Sequence, residues 1–338
     1  MWRFPLLARA AAAVARAHPG VRVVHGFGVF ASSAVLAARR LGRLGIAITA
    51  VASAYDTMAH EGRAKLRGVS RPHGRWAQMG MAAELAWIRL AVDRWERRGY
   101  AGARLILVHY DSMRRILAAS YGLDRSVCRI PYASEAAFRE PAPRPPPPPG
   151  LDGPGPAAGP LVVAVSRHDP RKGVDVLLQA LGRLKASGVA FRACLVGTGP
   201  LLAAHRRLAA RLGLADRVAI EGFVPEVYPY VAHADVFTLP SLEEGSGSLA
   251  LLEALQAGVP AVVSAVDGVP EDVDDESALL VPPGDAGALQ AALARLLADP
   301  ALRGRLGAAA RSAFERRFSA PVFTEALARA YAVASIAA

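Results

Sequence analysis

The chain alternates short apolar runs with stretches whose apolar residues recur at helical spacing. In the second half the alternation is regular. Leu161–Ser166, Phe191–Val196, Val218–Glu221, Val236–Leu239, Ala261–Ser264 and Ala278–Val281 are strand-length runs rich in apolar residues. Runs of this kind, punctuated by Gly and Pro, predict strands buried in a parallel sheet. Val174–Ala186, Leu201–Leu212, Val227–Ala232, Leu249–Ala257 and segments near 286–298, 301–317 and 320–334 carry the helical period. The first half repeats the rhythm less cleanly. It predicts a helix over 4–17, a strand Val21–His25, a helix Ser32–Leu41 and a strand Ile46–Val51. A polar, basic loop follows over 53–75, then a long helix over 76–99 whose Trp76, Trp87 and Trp95 are expected in the core. A strand Arg104–Val108, a helix Ser112–Ala119 and a short strand Val127–Ile130 close this half. Strands and helices in alternation with short joints predict an α/β fold with parallel sheets.

The rest of the chain is arranged around residues 233–271. Strand 236–239 ends at Pro240, a loop carries Glu243, Glu244, Gly245, Ser246, Gly247 and Ser248, and a helix and second strand follow. In such a βαβ unit, ligands sit beyond the carboxyl ends of the strands. The loop amides and the helix N-terminus suit an anion such as a phosphate. Glu244 lies in this loop, and Glu253 lies further along the helix.

Composition adds limits. The chain has 338 residues, 53% of them hydrophobic, which suits about two domains. Arg9 and Arg16 interrupt the apolar opening segment, which favours a surface helix over a signal peptide. No uninterrupted apolar run reaches the ~20 residues of a membrane span. Cys128 and Cys194 are far apart in apolar surroundings and are expected as small buried hydrophobes, pointing to a reduced, cytoplasmic setting. The net charge of +11 is uneven: residues 1–138 hold 21 basic and 8 acidic side chains, a net +13, and the remainder carries −2. A basic first half fits attraction to an anionic membrane surface or an acidic acceptor, or only a solvated surface. No basic run is interleaved with stacking aromatics, so nucleic acid is not an expected partner. Residues 139–160, mostly Pro, Gly and Ala, predict an extended linker. The domains expected are therefore 1–138, the linker 139–160, 161–318, and a last helix over 319–338 returning toward the first domain.

Arg167 and Lys172 flank a turn between a strand and a helix, where two cations would bind a diphosphate. Gly197-Thr198-Gly199 ends the neighbouring strand; glycines there let backbone approach a ligand, or simply make a turn. Pro200 and Leu202 follow and no third glycine arrives, so this is not the dinucleotide fingerprint. Asp272-Val273-Asp274 lies in a polar run expected as a solvated loop, and Glu243 is likewise expected to be solvated. No His, Cys and carboxylate cluster has metal-ligand spacing, and no metal site is expected.

The segments SRHDPRKGVDVLLQAL, LVGTGP, EGFVPE, HADVFTLPS and LEEGSGSLALLEALQAGVPAVVSAVDGVPE occur in this order. Together they resemble the donor domain of the family 4 retaining glycosyltransferases, group 1, densely over about 160–320 and loosely over 20–138. The resemblance implies the GT-B architecture of two facing Rossmann-like domains, the first of them shortened. It implies that Arg167 and Lys172 hold the diphosphate of a nucleotide sugar and that Gly197 and Gly199 line the nucleotide. Val224 would lie near the base, Glu253 on the ribose hydroxyls and Glu244 on the donor sugar. Amides around Gly247, Ser248 and Leu249 would meet the pyrophosphate. No cofactor or bound divalent metal is implied. The acceptor would be a glycan, a lipid-linked sugar or a small molecule, and the place of work the cytoplasm or the inner face of the cell membrane.

Three departures accompany the resemblance. Eight residues separate Glu244 from Glu253 where the family has seven, and the expectation is that the loop bulges so that Glu244 still reaches the sugar. About 70 to 100 residues of the usual acceptor domain have no counterpart before residue 21, judged against domain sizes. This suggests a truncated frame, a domain completed by another chain, or a divergent acceptor domain. The family's frequent histidine is absent where Ala52-Ser53-Ala54 stands. His25, His109 and Tyr110 end strands in this half and are candidates for the acceptor side, with core packing as the other reading. The alternative to an enzyme is a degenerate relative that binds a nucleotide sugar without transferring it.

Overall fold

The computed structural model describes residues 3–54, 92–124, 126–139, 159–245 and 247–336, with isolated positions at 79–80, 83, 86–87, 90, 147–148 and 151. Most of the loop expected over 53–75, ten of the 24 positions of the helix expected over 76–99 with Trp76 among them, most of the linker, and Ser246 lie outside the described residues. Two compact units emerge: residues 1–132 with 323–338, and residues 133–322.

The first unit holds four parallel strands, β1 (Val23–Phe27), β2 (Thr49–Ser53), β3 (Leu105–Val108) and β4 (Val127–Arg129), side by side in chain order. Right-handed crossovers between strands laid down in one direction leave their helices on one face. The other face is covered by the last helix, Ala320–Ile336. Its Ala330 and Ala334 pack on Val51, Leu107 and Ile130, and Thr49 Oγ1 donates to Ala334 O. The opening helix, Arg3–Ala17, packs Ala8, Ala12 and Ala15 against Ala37 and Leu41 of helix Ala31–Gly42. β1 and β2 begin later than the apolar pattern predicts. Ile46 and Ile48 are apolar because they pack on this helix pair, not because they lie in the sheet. Core packing needs correction for one tryptophan and holds in part for another. Trp87 is 55% exposed, and Trp95 packs on Phe4 with ring centroids 5.6 Å apart.

The second unit holds six parallel strands: β5 (Leu161–Val165), β6 (Arg192–Val196), β7 (Val218–Ile220), β8 (Val236–Leu239), β9 (Ala261–Ser264) and β10 (Ala278–Val281). Their spatial order is β10-β9-β8-β5-β6-β7. The chain builds outward from β5 to β7, then returns to lay β8 against the other side of β5, with Val162 opposite Val236 and Val163 opposite Phe237. This is the doubly wound order, and its direction reverses between β5 and β8. Leu177, Leu181 and Leu184 of helix Val174–Ala186 join Leu289, Leu293 and Leu296 of helix Ala286–Ala298 in the core against the sheet. Cys194 is buried in β6, and burial pushes its thiol up to about 12.

The run after β9 is more ordered than a solvated loop. Val269–Asp272 form a short helix, and the Asp272 side chain is buried, while Arg317 donates to the Asp272 and Glu271 carbonyls. Asp274 accepts from the amides of Glu276 and Ser277 and so shapes the turn into β10. Residues 133–139 group with the second unit, where Gln256 Nε2 donates to Ala136 O.

Candidate functional site

Reversal of strand order leaves a crevice above the carboxyl ends of β5 and β8, because the connections from these neighbours leave on opposite sides of the sheet. The loops leaving these two strands hold Arg167 and Lys172 on one side and Glu244 on the other. Gly173 brings them together. It has φ 59°, and a Cβ there would lie 2.0 Å from Pro240 O, so only glycine permits this approach. Gly197, with φ 139°, does the same at the end of β6: a Cβ would lie 1.9 Å from Ser166 O. Gly199 likewise lies against the His168 backbone, and His168 N donates to Thr198 O. These glycines are required by packing between loops of the protein itself.

Within the crevice, Lys172 Nζ donates to Glu244 Oε1 at 2.8 Å, with side-chain exposures of 17% and 4%. Burial pushes the Glu244 carboxyl above its usual range, against the pull of Lys172. Ser241 pulls weakly in the same direction as Lys172, although its hydroxyl and Glu244 Oε2 do not meet in hydrogen-bond geometry. Oε2 of Glu244 is therefore a buried acceptor without a partner. Arg167 stands 70% exposed above the same edge, its Nε 3.8 Å from Asp169 Oδ2. Asp169 accepts from Arg171 N and so caps the single turn Pro170–Lys172 that carries Lys172.

The Glu244 loop is held from two sides. The amides of Leu242 and Glu243 donate to Arg171 O; those of Glu244 and Gly245 donate to Asp267 Oδ2 at 2.6 and 2.8 Å. Glu243 is half-buried, not solvated. Gly245 and Gly247 have φ of 69° and 100°, backbone that lets the loop turn while Glu244 points inward onto Lys172. Ser248 then caps helix Leu249–Gln256 by accepting from Leu251 N, and Leu249 is exposed at the first helical position.

Glu253 sits one turn further along, partly buried. Burial pushes its carboxyl up to about 7, with Arg139 pulling down and Glu135 pushing up more weakly. Its Oε2 is also buried and without a hydrogen-bond partner. Val224 is half-buried in the loop that follows β7. Sequence reasoning missed two features here. Asp267 has no motif to flag it. The other is a buried pair, His168 and His205, whose Nδ1 atoms lie 2.9 Å apart and which are 37 positions apart in sequence.

The first-unit candidates are placed separately. His25 uses both ring nitrogens, with Tyr331 OH and Ser53 Oγ each at 2.8 Å. His109 Nδ1 lies 3.2 Å from Ile130 O, and its ring packs on Tyr132. Burial lowers the pKa of both histidines. Tyr110 is 2% exposed and meets Tyr132 edge-on, which places its ring in the core of this unit.

In doubly wound sheets ligands bind at the switch point, and here that edge carries Arg167, Lys172 and the glycine-containing Glu244 loop. Residues 159–299 match the family Glycosyl transferases group 1, and the second unit carries a domain of that family. Over 161 residues the chain is 37% identical to a GDP-mannose-dependent alpha-(1-6)-phosphatidylinositol monomannoside mannosyltransferase of Mycolicibacterium smegmatis, covering 45% of this chain and 42% of that protein. It is 32% identical over 219 residues to a 2-deoxystreptamine glucosyltransferase of Streptomyces kanamyceticus, covering 62% of this chain and 55% of that protein. The chain thus matches about two fifths to a little over half of the length of these relatives. Its fold is that of GT-B glycosyltransferases. It resembles sucrose-phosphate synthase from Thermosynechococcus elongatus at TM-score 0.72 and 24% identity, over 99% of this chain and 79% of that one. It also resembles Anabaena HepE in complex with UDP at TM-score 0.71 and 18% identity, over 97% and 82%.

Proposed function

We propose that the chain transfers a sugar from a nucleoside diphosphate sugar to a glycan, a glycolipid or a small-molecule acceptor, with retention of anomeric configuration. The observation that carries this reading is the pair of buried carboxylate oxygens, Oε2 of Glu244, whose other oxygen is held by Lys172, and Oε2 of Glu253 on the helix that follows, each without a hydrogen-bond partner. A buried acceptor left empty is costly, and hydroxyl groups of a ligand are the donors that would satisfy it. Two such acceptors suit a ligand with hydroxyls at two places, as a ribose and a hexose joined by a diphosphate present. UDP bound in the HepE structure belongs to that ligand class.

In this reading Glu253 receives the ribose hydroxyls and Glu244 a hydroxyl of the donor sugar. Arg167, Lys172 and the amides of Gly247, Ser248 and Leu249 face the diphosphate. The loop ordered by Gly197 and Gly199 borders the nucleotide, and Val224 the base. Breaking the bond between sugar and phosphate leaves charge on the departing diphosphate; fixed cations and amides stabilise that charge as it forms. The acceptor falls to the first unit, with His25 and His109 as its polar candidates. Leu6, Leu7 and Val14 are exposed on helix Arg3–Ala17, which also carries Arg9 and Arg16, and this supports attachment to an anionic membrane surface at the cytoplasmic face. Among the described residues no helix is long and apolar enough to cross a membrane.

The test is a thermal-shift screen of UDP-, GDP- and ADP-sugars, followed by binding of the selected donor in radiolabelled form. Lys172→Ala is expected to abolish that binding. A variant that binds the donor as the parent does would overturn the assignment of the diphosphate to this crevice.

A further inference from the structure

Asp267 is the one non-glycine residue with positive φ among the described residues, at 46°. Backbone of this kind is uncommon outside glycine, Asp and Asn being among the side chains that tolerate it best, and it persists where local hydrogen bonds favour it. Such bonds are present here. Oδ2 of Asp267 accepts the amides of two consecutive residues, Glu244 at 2.6 Å and Gly245 at 2.8 Å. Bonds from N–H groups to a carboxylate are shorter and stronger than neutral ones. Asp267 stands just beyond the carboxyl end of β9, the neighbour of β8, so it reaches the loop that β8 feeds.

We infer that Asp267 is a positioning residue that sets the reach of the Glu244 carboxylate into the crevice; this rests on the reading of Glu244 as a donor contact. Gly245 and Gly247 give the loop backbone freedom on both sides of position 246. A loop with two glycines beside its acid has several places to put that acid. The amides of 242 and 243, held by Arg171 O, fix only its entrance. The two bonds to Asp267 fix the next two residues, and the peptide that carries the Glu244 side chain is thereby pinned opposite Lys172. The hydrogen bonds that Asp267 accepts from this loop come from backbone amides, so its hold on the acid is through the backbone. It also adds negative charge beside Glu244 and helps keep that carboxyl above its usual range.

Two substitutions separate the carboxylate from the backbone. Asp267→Gly keeps the positive φ at no steric cost and removes the acceptor. Asp267→Asn keeps an oxygen that can accept both amides and tolerates the same backbone. Hydrogen exchange of the unliganded full chain, read on the peptide spanning 242–249, is the first measurement. The glycine variant is expected to exchange at Glu244 and Gly245 at least about tenfold faster, and the asparagine variant to keep most of the parent's protection. Unchanged protection in the glycine variant overturns the inference. Turnover of the donor selected by the screen is the second measurement. Asp267→Gly should lower kcat by about tenfold or more while UDP or GDP binding stays within about twofold, with Asp267→Asn restoring most of it. Equal loss in both variants overturns the positioning role. If the parent turns over no donor, the role given to Glu244 fails, and the exchange result still decides whether Asp267 holds the loop.

Discussion

Glu253→Gln should make the protein more stable and less able to bind its donor, and the gain in stability should depend on pH. The Glu253 carboxyl stands at about 7 in the folded chain against an ordinary 4.5, because burial disfavours the charged form. A raised acid pKa means the folded state holds the proton more tightly than the unfolded state. Stability from this group is therefore present at low pH and is lost as pH rises from 4.5 through 7. The raised pKa costs about 3 kcal/mol at pH 8.5, where the buried carboxyl is ionised, and about 1 kcal/mol at pH 5, where only the unfolded chain gains from ionising it. A glutamine does not titrate, so its advantage over glutamate should grow by about 2–3 kcal/mol between pH 5 and pH 8.5. For a unit of this size that is a rise of about 5–10 °C in Tm at the higher pH, relative to the lower. Calorimetry of the full chain is the suitable assay, because all four tryptophans lie within residues 1–132 and intrinsic fluorescence would report the other unit. An advantage that stays constant with pH, or shrinks as pH rises, would refute the claim that the buried carboxylate is ionised at a cost. Donor affinity measured on the same samples should fall, since the costly charge is the one that receives hydroxyl donors.

Gly173→Ala should destabilise the second unit by about 2–4 kcal/mol, because a Cβ would lie 2.0 Å from Pro240 O at φ 59°; urea unfolding followed by circular dichroism reads the loss. Under conditions where that variant remains folded, its donor affinity should still be reduced, as the Lys172 loop can no longer close on Pro240. The buried His168–His205 pair should make the protein acid-sensitive. Burial is the main cause holding His168 down to about 4, and His205 is also lowered, so the unfolded chain takes up protons first as pH falls below 6.5. Stability should then fall between pH 6.5 and pH 4 by up to about 3 kcal/mol on the account of His168, and a doubly substituted His168→Asn, His205→Asn chain should lose that slope.

The elements most legible in the sequence are those whose side chains are nearly all buried. The apolar pattern bounds Val236–Leu239, Ala261–Ser264 and Ala278–Val281 to the residue, because apolar runs closed by Pro, Gly or polar residues admit few other readings. The first sheet is less legible, since Ile46 and Ile48 serve a helix pair and look the same in sequence as strand residues. The crevice can be placed because cations and acids fall just after apolar runs. What holds the crevice in shape cannot. A glycine such as Gly173 is a turn in sequence and a contact with Pro240 only in three dimensions. Asp267 gives no signal at all, because its meaning depends on a backbone conformation that its residue type does not dictate. The histidine pair joins positions 37 apart through side chains, and only the packed loops bring them within 2.9 Å.

The last helix has a consequence for how the protein is made. Ala330 and Ala334 complete the core over Val51, Leu107 and Ile130, yet they are synthesised after the whole of the second unit. During translation the first sheet emerges early with one apolar face uncovered. It stays so while nearly two hundred further residues are added, a period in which incomplete domains are prone to associate wrongly. Of the two units, the one whose strands are made first is thus the last to finish folding. A fragment ending at residue 138 would present Val51, Leu107 and Ile130 to water, however well its strands pair.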